Sequence, residues 1–259
     1  FTAAASGRPE SGGESMRGMR PYWRGAAPAG YPDSDSADRA RLTARGTRRR
    51  MRRMPAFDHA AAFRTRSLDA AREHVGGVFA AHRLSCGVRE LDFVHERRDR
   101  PRASLNRLRY GAEVVVEAPA LQGFYLLQCT LAGRCEIELG RRAVTVGAGD
   151  LLVVNPTRPY RKRWSADCTQ LIARLDRDLV DEAWTMRHGE PPRAPLEFAF
   201  ANVPAAAAAP LAAALLAADR GRVGERALAD ALVAVLPPVE ADDALDGAAT
   251  LVRRAEAFM

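Results

Sequence analysis

The side chains able to do chemistry are few and scattered. Five histidines (His59, His74, His82, His95 and His188) show neither the HxH nor the HExxH spacing that would converge two imidazoles on one metal ion. Four cysteines (Cys86, Cys129, Cys135 and Cys168) form no CxxC pair. Ser85, Ser104 and Ser165 lie outside any GxSxG turn, and a thiol without an identified histidine partner is a weak nucleophile. Gly147-Ala148-Gly149-Asp150 has the glycines of a phosphate loop, yet the strand-like run DLLVV follows it, whereas a dinucleotide fingerprint opens a helix. It reads as a β-turn capped by Asp150. No catalytic residue, metal ligand or cofactor site is expected, and the chemistry that remains is binding.

Candidates for binding are polar residues set on apolar faces. His95 alternates with Phe93 and Leu91, which turns it inward. If Ala132-Gly133 is a two-residue hairpin loop, Thr130 faces Cys135, and Phe124, Leu126, Gln128 and Thr130 share a face with Cys135, Ile137 and Leu139. Gln128 is then an amide on an apolar face, which either bonds a neighbour or awaits a ligand; Asn106 and Tyr110 carry the same ambiguity. The same parity puts Cys129 across the sheet from Cys135 and forbids a disulfide between them. Arg158, Arg161, Lys162 and Arg163 read as a solvated loop and an edge strand whose charge blocks edge-to-edge pairing, with a site for an acidic effector or a DNA phosphate as the alternative.

These residues need a scaffold, and the chain spells one out. Ser67 can cap a helix in which Leu68, Ala71, Val75, Val78 and Phe79 fall at helical spacing. Between Leu84 and Leu175 the period changes to two. Nine strand candidates follow, with ranges 91–96, 103–110, 112–117, 123–131, 134–139, 142–146, 150–154, 160–164 and 169–175. Short connections between them suit an antiparallel barrel. Asp176 can cap a further helix closed by Gly189; Leu196–Phe200 can add an edge strand. A helix pair follows, about 205–220 and 225–236, with Leu211, Leu215, Leu228 and Leu232 in stripes that can pack on the barrel or on a partner subunit.

Charge separates the chain into parts. Residues 1–54 hold 12 arginines against 5 acids, and the remaining residues balance 27 basic against 27 acidic side chains. The excess of +7 belongs to the leader, so the folded part shows no electrostatic footprint for DNA. Residues 1–56 read as a disordered basic leader, 57–238 as the folded domain, and 239–259 as a linker with the start of another helix. No stretch reaches the roughly 20 apolar residues that span a bilayer. The expectation is a cytoplasmic protein with reduced thiols.

In order and wording the chain resembles the effector-binding domain of AraC-type transcription regulators. The matching pieces are SLDAAREHVGGVFAAHRLS (67–85), LDF (91–93), LRYGAEVVVE (108–117), FYLLQCTLAG (124–133), VTVGAGDLLVVNPTRPY (144–160) and WSADCTQLIARLDRDLV (164–180). The resemblance implies a mainly β fold, a cupin-like antiparallel barrel followed by a helix pair. It also implies a small organic effector and a homodimer formed by that pair, with Leu211, Leu215, Leu228 and Leu232 as interface candidates. DNA and RNA polymerase would be met only through a C-terminal helix-turn-helix domain, of which LVRRAEAFM resembles the opening alone. Metal-dependent cupin enzymes, or a stand-alone binding protein, are the alternative. The turn GAGDLLVVNP resembles the second motif of those enzymes, but Leu152 stands where they place a histidine. The stretch 103–139, where their first motif should lie, has no histidine.

Overall fold

The computed structural model describes residues 61–236 together with 238 and 239. The expectations for the leader and for the tail beyond Val239 lie outside the described residues. In order the elements are β1 Ala61–Thr65, α1 Leu68–Val78, β2 Arg83–Cys86, β3 Phe93–Arg100, β4 Ala103–Arg109, β5 Val114–Ala118, β6 Phe124–Ala132 and β7 Arg134–Leu139. Then come β8 Arg142–Gly147, β9 Asp150–Val154, β10 Tyr160–Trp164, β11 Thr169–Asp176, α2 Arg177–His188, β12 Val203–Pro204, α3 Ala209–Asp219 and α4 Glu225–Val235. All nine expected strands are present. β1, β2 and the two-residue β12 were not foreseen.

The strands make two antiparallel sheets, one ordered β1-β3-β4-β11-β6-β9-β12 and the other β2-β5-β10-β7-β8. The fold is mainly β and cupin-like. It is a pair of facing sheets with free edges, however, and the expected barrel is not closed. Period-two alternation sends Phe93, Leu108, Leu126, Leu152 and Ile172 from the larger sheet against Val114, Val116, Ile137, Val146 and Trp164 from the smaller, forming the core between the sheets. The opposite face of the larger sheet (Leu105, Tyr125, Leu127, Leu151, Leu171) is covered by α2, α3 and α4. Both faces of the larger sheet are therefore buried, which explains why β6 is apolar almost throughout.

The hairpin assumed at Ala132-Gly133 does not form. β6 is already paired on both sides, by β11 and β9, and β7 lies in the other sheet between β10 and β8. Gly133 carries the chain across with φ +66, and a Cβ there would sit 2.6 Å from the Cys168 nitrogen and 2.7 Å from its Cα, so only glycine fits. The facing deduced from the hairpin nevertheless holds. Phe124 and Leu126 share the core between the sheets with Cys135, Ile137 and Leu139, while Cys129 lies on the helix side. All four cysteines are free thiols.

Local signals at chain ends are mixed. Ser67 caps α1, its hydroxyl accepting from the Ala70 amide at 3.3 Å. Gly189 closes α2 in the left-handed conformation at φ 84. Asp176 occupies the cap position of α2 without making a side-chain cap; its carboxylate accepts from Arg174 instead. Asp150 caps its turn as expected, accepting from the Gly147 amide at 2.7 Å. Leu196–Phe200 is no strand: it makes a single bridge, Glu197 to Val239, while Leu196, Phe198 and Phe200 are buried.

Candidate functional site

α1 rests on one end of the space between the sheets. Val75, Phe79, Ala80 and His82 from the helix and its exit close over Leu108, Tyr110, Val116, Leu126, Tyr160, Lys162, Trp164 and Ile172. The resulting cleft leaves about 30 Å³ free to the centre of a water-sized sphere, and about 420 Å³ only when the open solvent at its mouth is counted. Its walls are aromatic and aliphatic, with a few polar atoms turned in, which is the usual make-up of a small-molecule pocket.

The polar centre of this cleft is Lys162, the chain's single lysine. It is 3% exposed. β10 is a central strand, paired with β5 on one side and β7 on the other, so the edge strand expected here does not exist. Alternation splits the basic run by face. Arg161 and Arg163 point outward and pair with Glu117, Glu138 and Glu136 of the flanking strands. Tyr160, Lys162 and Trp164 point inward and are buried. Lys162 donates to Gln128 Oε1 at 2.6 Å across the gap between the sheets, and its ammonium lies 5.0 Å from the Tyr160 ring centroid. Burial pulls its pKa down to about 8, with the Cys135 and Cys168 thiols acting weakly the other way. It remains a cation at neutral pH. Burial in turn pushes Cys135 up to about 11, so the neighbouring thiol is neutral.

Three more polar atoms of the site have no hydrogen-bond partner among the described residues: Gln128 Nε2, Trp164 Nε1 and His82 Nε2. Burial lowers the His82 pKa and keeps the ring neutral. The carbonyl of Ala80 can only accept, so His82 Nδ1 carries the proton donated to it at 3.0 Å and Nε2 is left as an acceptor. Gln128 and Trp164 offer N–H donors.

A separate polar chain runs beside the cleft and satisfies itself. Asn106 Nδ2 donates to the Ser104 carbonyl at 3.1 Å, its hydroxyl at 2.9 Å and the Ile172 carbonyl at 3.2 Å, so Oδ1 must be the end facing His95. His95 Nε2 therefore carries its proton and donates to Asn106 Oδ1 at 3.1 Å. His95 Nδ1 is left to accept from His74 Nε2 at 2.8 Å. The His74 ring stacks on Phe63 with centroids 4.0 Å apart. Burial brings the His95 pKa down to about 4 and lowers that of His74, so both rings stay neutral. With every nitrogen of His95 engaged, the chain ties α1 to the larger sheet.

Of the four expected pocket residues, Tyr110 lines the cleft and Gln128 holds its lysine, whereas His95 and Asn106 belong to the self-satisfied chain. Sequence reasoning missed Lys162, Trp164 and His82. The signal was the alternation of Tyr160, Lys162 and Trp164 with two arginines, which puts the lysine on the aromatic side. The interface candidates need the firmest correction: Leu211, Leu215, Leu228 and Leu232 are each 0% exposed within the single chain, packed under the helices against the larger sheet. Of the two packings open to the leucine stripes, the barrel side is the one realised.

Comparison with known proteins identifies the family of this fold. Residues 71–238 match the AraC-binding-like domain family, and the chain belongs to it. The XylDLEGF operon transcriptional activator 1 of Pseudomonas putida is 32% identical over 95 residues, covering 37% of this chain and 30% of the relative. XylDLEGF operon transcriptional activator 3 of the same organism is 30% identical over 108 residues, covering 38% and 33%. The matches thus span about a third of the length of these curated relatives. Among solved structures, the AraC-like transcriptional activator CuxR superposes with a TM-score of 0.51 at 18% identity, covering 70% of this chain and 73% of that one, a likeness of fold. Among the described residues no helix is long and apolar enough to cross a membrane.

Proposed function

We propose that this chain is the effector-sensing part of an AraC-type transcription regulator, binding a small organic molecule between its two sheets and carrying out no catalysis. The observation that supports it best is the cleft under α1, where an apolar wall surrounds Lys162 and polar atoms that lack partners. Binding to the native state alone raises stability, so a thermal-shift screen of small acids, sugars and aromatics tests the reading. A shift of several degrees with one chemical class is expected. A flat response across all three would overturn it.

Two further parts of the reading rest on family membership. The chain pairs as a homodimer, and with Leu211, Leu215, Leu228 and Leu232 buried inside one subunit the contact would use the outer sides of α3 and α4. Sedimentation of the chain tests the dimer directly, a monomer at tens of micromolar being the contrary result. Contact with DNA and RNA polymerase belongs to a helix-turn-helix part, and this segment alone is expected to leave operator DNA unshifted in a gel.

The enzyme alternative needs a catalytic group in the cleft. Leu152, at the position where metal cupins place a histidine, faces the core at 1% exposure. Stoichiometric iron, manganese or zinc in purified protein would favour the enzyme reading over sensing.

A further inference from the structure

We infer that His74 and His95 form a proton-released latch on α1: closed over the sheets, the pair has room for one added proton, and the helix must let go before it takes a second. The latch goes beyond the sensing function proposed above and does not depend on what the cleft binds.

The atoms fix how many protons the closed pair can hold. Asn106 is turned by three acceptors so that its Oδ1 meets His95, which keeps a proton on His95 Nε2. The nitrogens left at the contact are His74 Nε2 and His95 Nδ1, 2.8 Å apart, and the gap between them holds one shared proton. In the neutral pair that proton belongs to His74. A first added proton goes to Nδ1 of the half-buried His74 and leaves the bridge intact. A second would set N–H against N–H between two cations, and the contact cannot survive it. Released, each ring meets water and takes its own proton, so the open pair holds two.

The surroundings oppose charge at His95. Phe63 faces it from β1, Leu108 from β4 and the Phe79 ring from the exit of α1, at 6.3 Å between centroids. The titratable group facing it from α1 is His74 itself. Along its own strand lie Arg97, which disfavours an imidazolium, and Asp99, which favours one; these two pair with each other at 2.6 Å. Burial outweighs the Asn106 bond and brings the His95 pKa from 6.5 to about 4. For His74, burial and then Arg97 act downward. With the folded pKa of His95 below the unfolded one, its contribution to stability is present above pH 6.5 and is lost as pH falls towards 4.

The helix is suited to leave before the rest of the chain. It meets the core between the sheets through the small side chains of Ala71 and Val75, with Leu68 and Phe79 half-buried. Gly76 and Gly77 sit in its second half, where glycine weakens a helix. Its departure uncovers Leu108, Tyr110 and Trp164, over which the helix and its exit close. Acidity then sets how often the space between the sheets is open.

Native-state hydrogen exchange of the full chain, expressed as protection relative to the intrinsic rate at each pH, reads the latch. Protection of the α1 amides should lie below that of β6 and β11 and fall at least about 20-fold from pH 7 to pH 5, the linkage expected of one proton. His95→Gln offers an oxygen to His74 and an N–H to Asn106 without titrating, and the fall should shrink at least about fivefold. His74→Gln and His82→Gln keep His95 and should each retain about a tenfold fall or more. Ring-nitrogen NMR of the unaltered chain needs no variant and should find His95 neutral at pH 5 with its proton on Nε2. Protection in α1 that equals that of β6 and β11, that ignores pH, or that falls as steeply in His95→Gln overturns the latch. So does a His95 ring protonated at pH 5 while α1 stays protected.

Discussion

The two faces of the larger sheet bury comparable apolar surfaces and treat their polar groups differently. Under the helices, several polar side chains have fixed partners, although Asp181 Oδ1 and Asp219 Oδ1 have no hydrogen-bond partner among the described residues. The Tyr125 hydroxyl donates to the Leu196 carbonyl at 2.9 Å, and Asn155 exchanges two bonds with the Phe198 backbone, at 2.7 and 3.0 Å. Arg107 donates to the buried Asp219 at 2.8 Å. Between the sheets, a lysine has a neutral partner and the Trp164 and Gln128 donors have none. The clearest difference is therefore the charge: the helix side pairs Arg107 with Asp219, and the inner side sets Lys162 against a neutral amide. Substitutions on the first should change unfolding, and substitutions on the second should change ligand affinity.

The largest effect is expected where a charge enters the helix side. Leu215→Asp or Leu232→Asp buries a carboxylate among leucines and should cost about 4 kcal/mol or more, removing cooperative thermal unfolding. Folded, merely monomeric variants would return those leucines to an intersubunit surface. Leu232→Ala should cost about 3 kcal/mol in urea titration, from lost transfer energy and the cavity left behind.

The inner side has its own signature in pH. Lys162 has its pKa lowered from 10.5 to about 8 in the fold, so between those values the unfolded chain holds more protons and stability rises with pH. Below about pH 8 the full penalty is present, and above about 10.5 it is gone. Compared with Lys162→Met, in which other titrations cancel, the native chain should gain up to about 3 kcal/mol across that window. Parallel urea titrations at pH 7 and pH 10.5 measure it, and identical pH dependence of the two proteins would contradict the buried cation. Asn106→Leu should cost about 2 kcal/mol in urea titration, since it strands His95 Nε2 and two carbonyls. The smallest change is Tyr125→Phe, about 1 kcal/mol of stability with affinity unaltered.

Much of this contrast could be read from the chain, though unevenly. Strand positions followed from period-two runs such as Cys135, Ile137 and Leu139, because alternation is a local property. Pairing is not local: nothing near Ala132-Gly133 signals that β6 has both its edges taken by β9 and β11, so the hairpin was misassigned although the facing of Gln128 was right. β10 looked like an edge because three of its five residues are charged. Reading each face separately would have isolated Lys162 beside two aromatics. The helix-pair leucines showed the correct stripe, but a stripe records that a face is covered and is silent about whether the cover is the same subunit or another. β1 was hidden because its AAFRT carries too little alternation to stand apart from the basic leader.

β11 belongs to both faces at once. Ile172 lines the cleft, while its neighbours Leu171 and Ala173 sit in the core beneath the helices, and the strand runs directly into α2. Close-packed interiors yield little to pressure, so a ligand that displaces Ile172 outward must move the backbone, and with it the residues on which α2 and α4 rest. On the function proposed above, occupancy of the cleft would then be felt at α2 and α4 through β11. Amide exchange in α2 and α4 should change on ligand saturation; protection confined to β10 and β11 would show that the wall holds still and the message travels elsewhere.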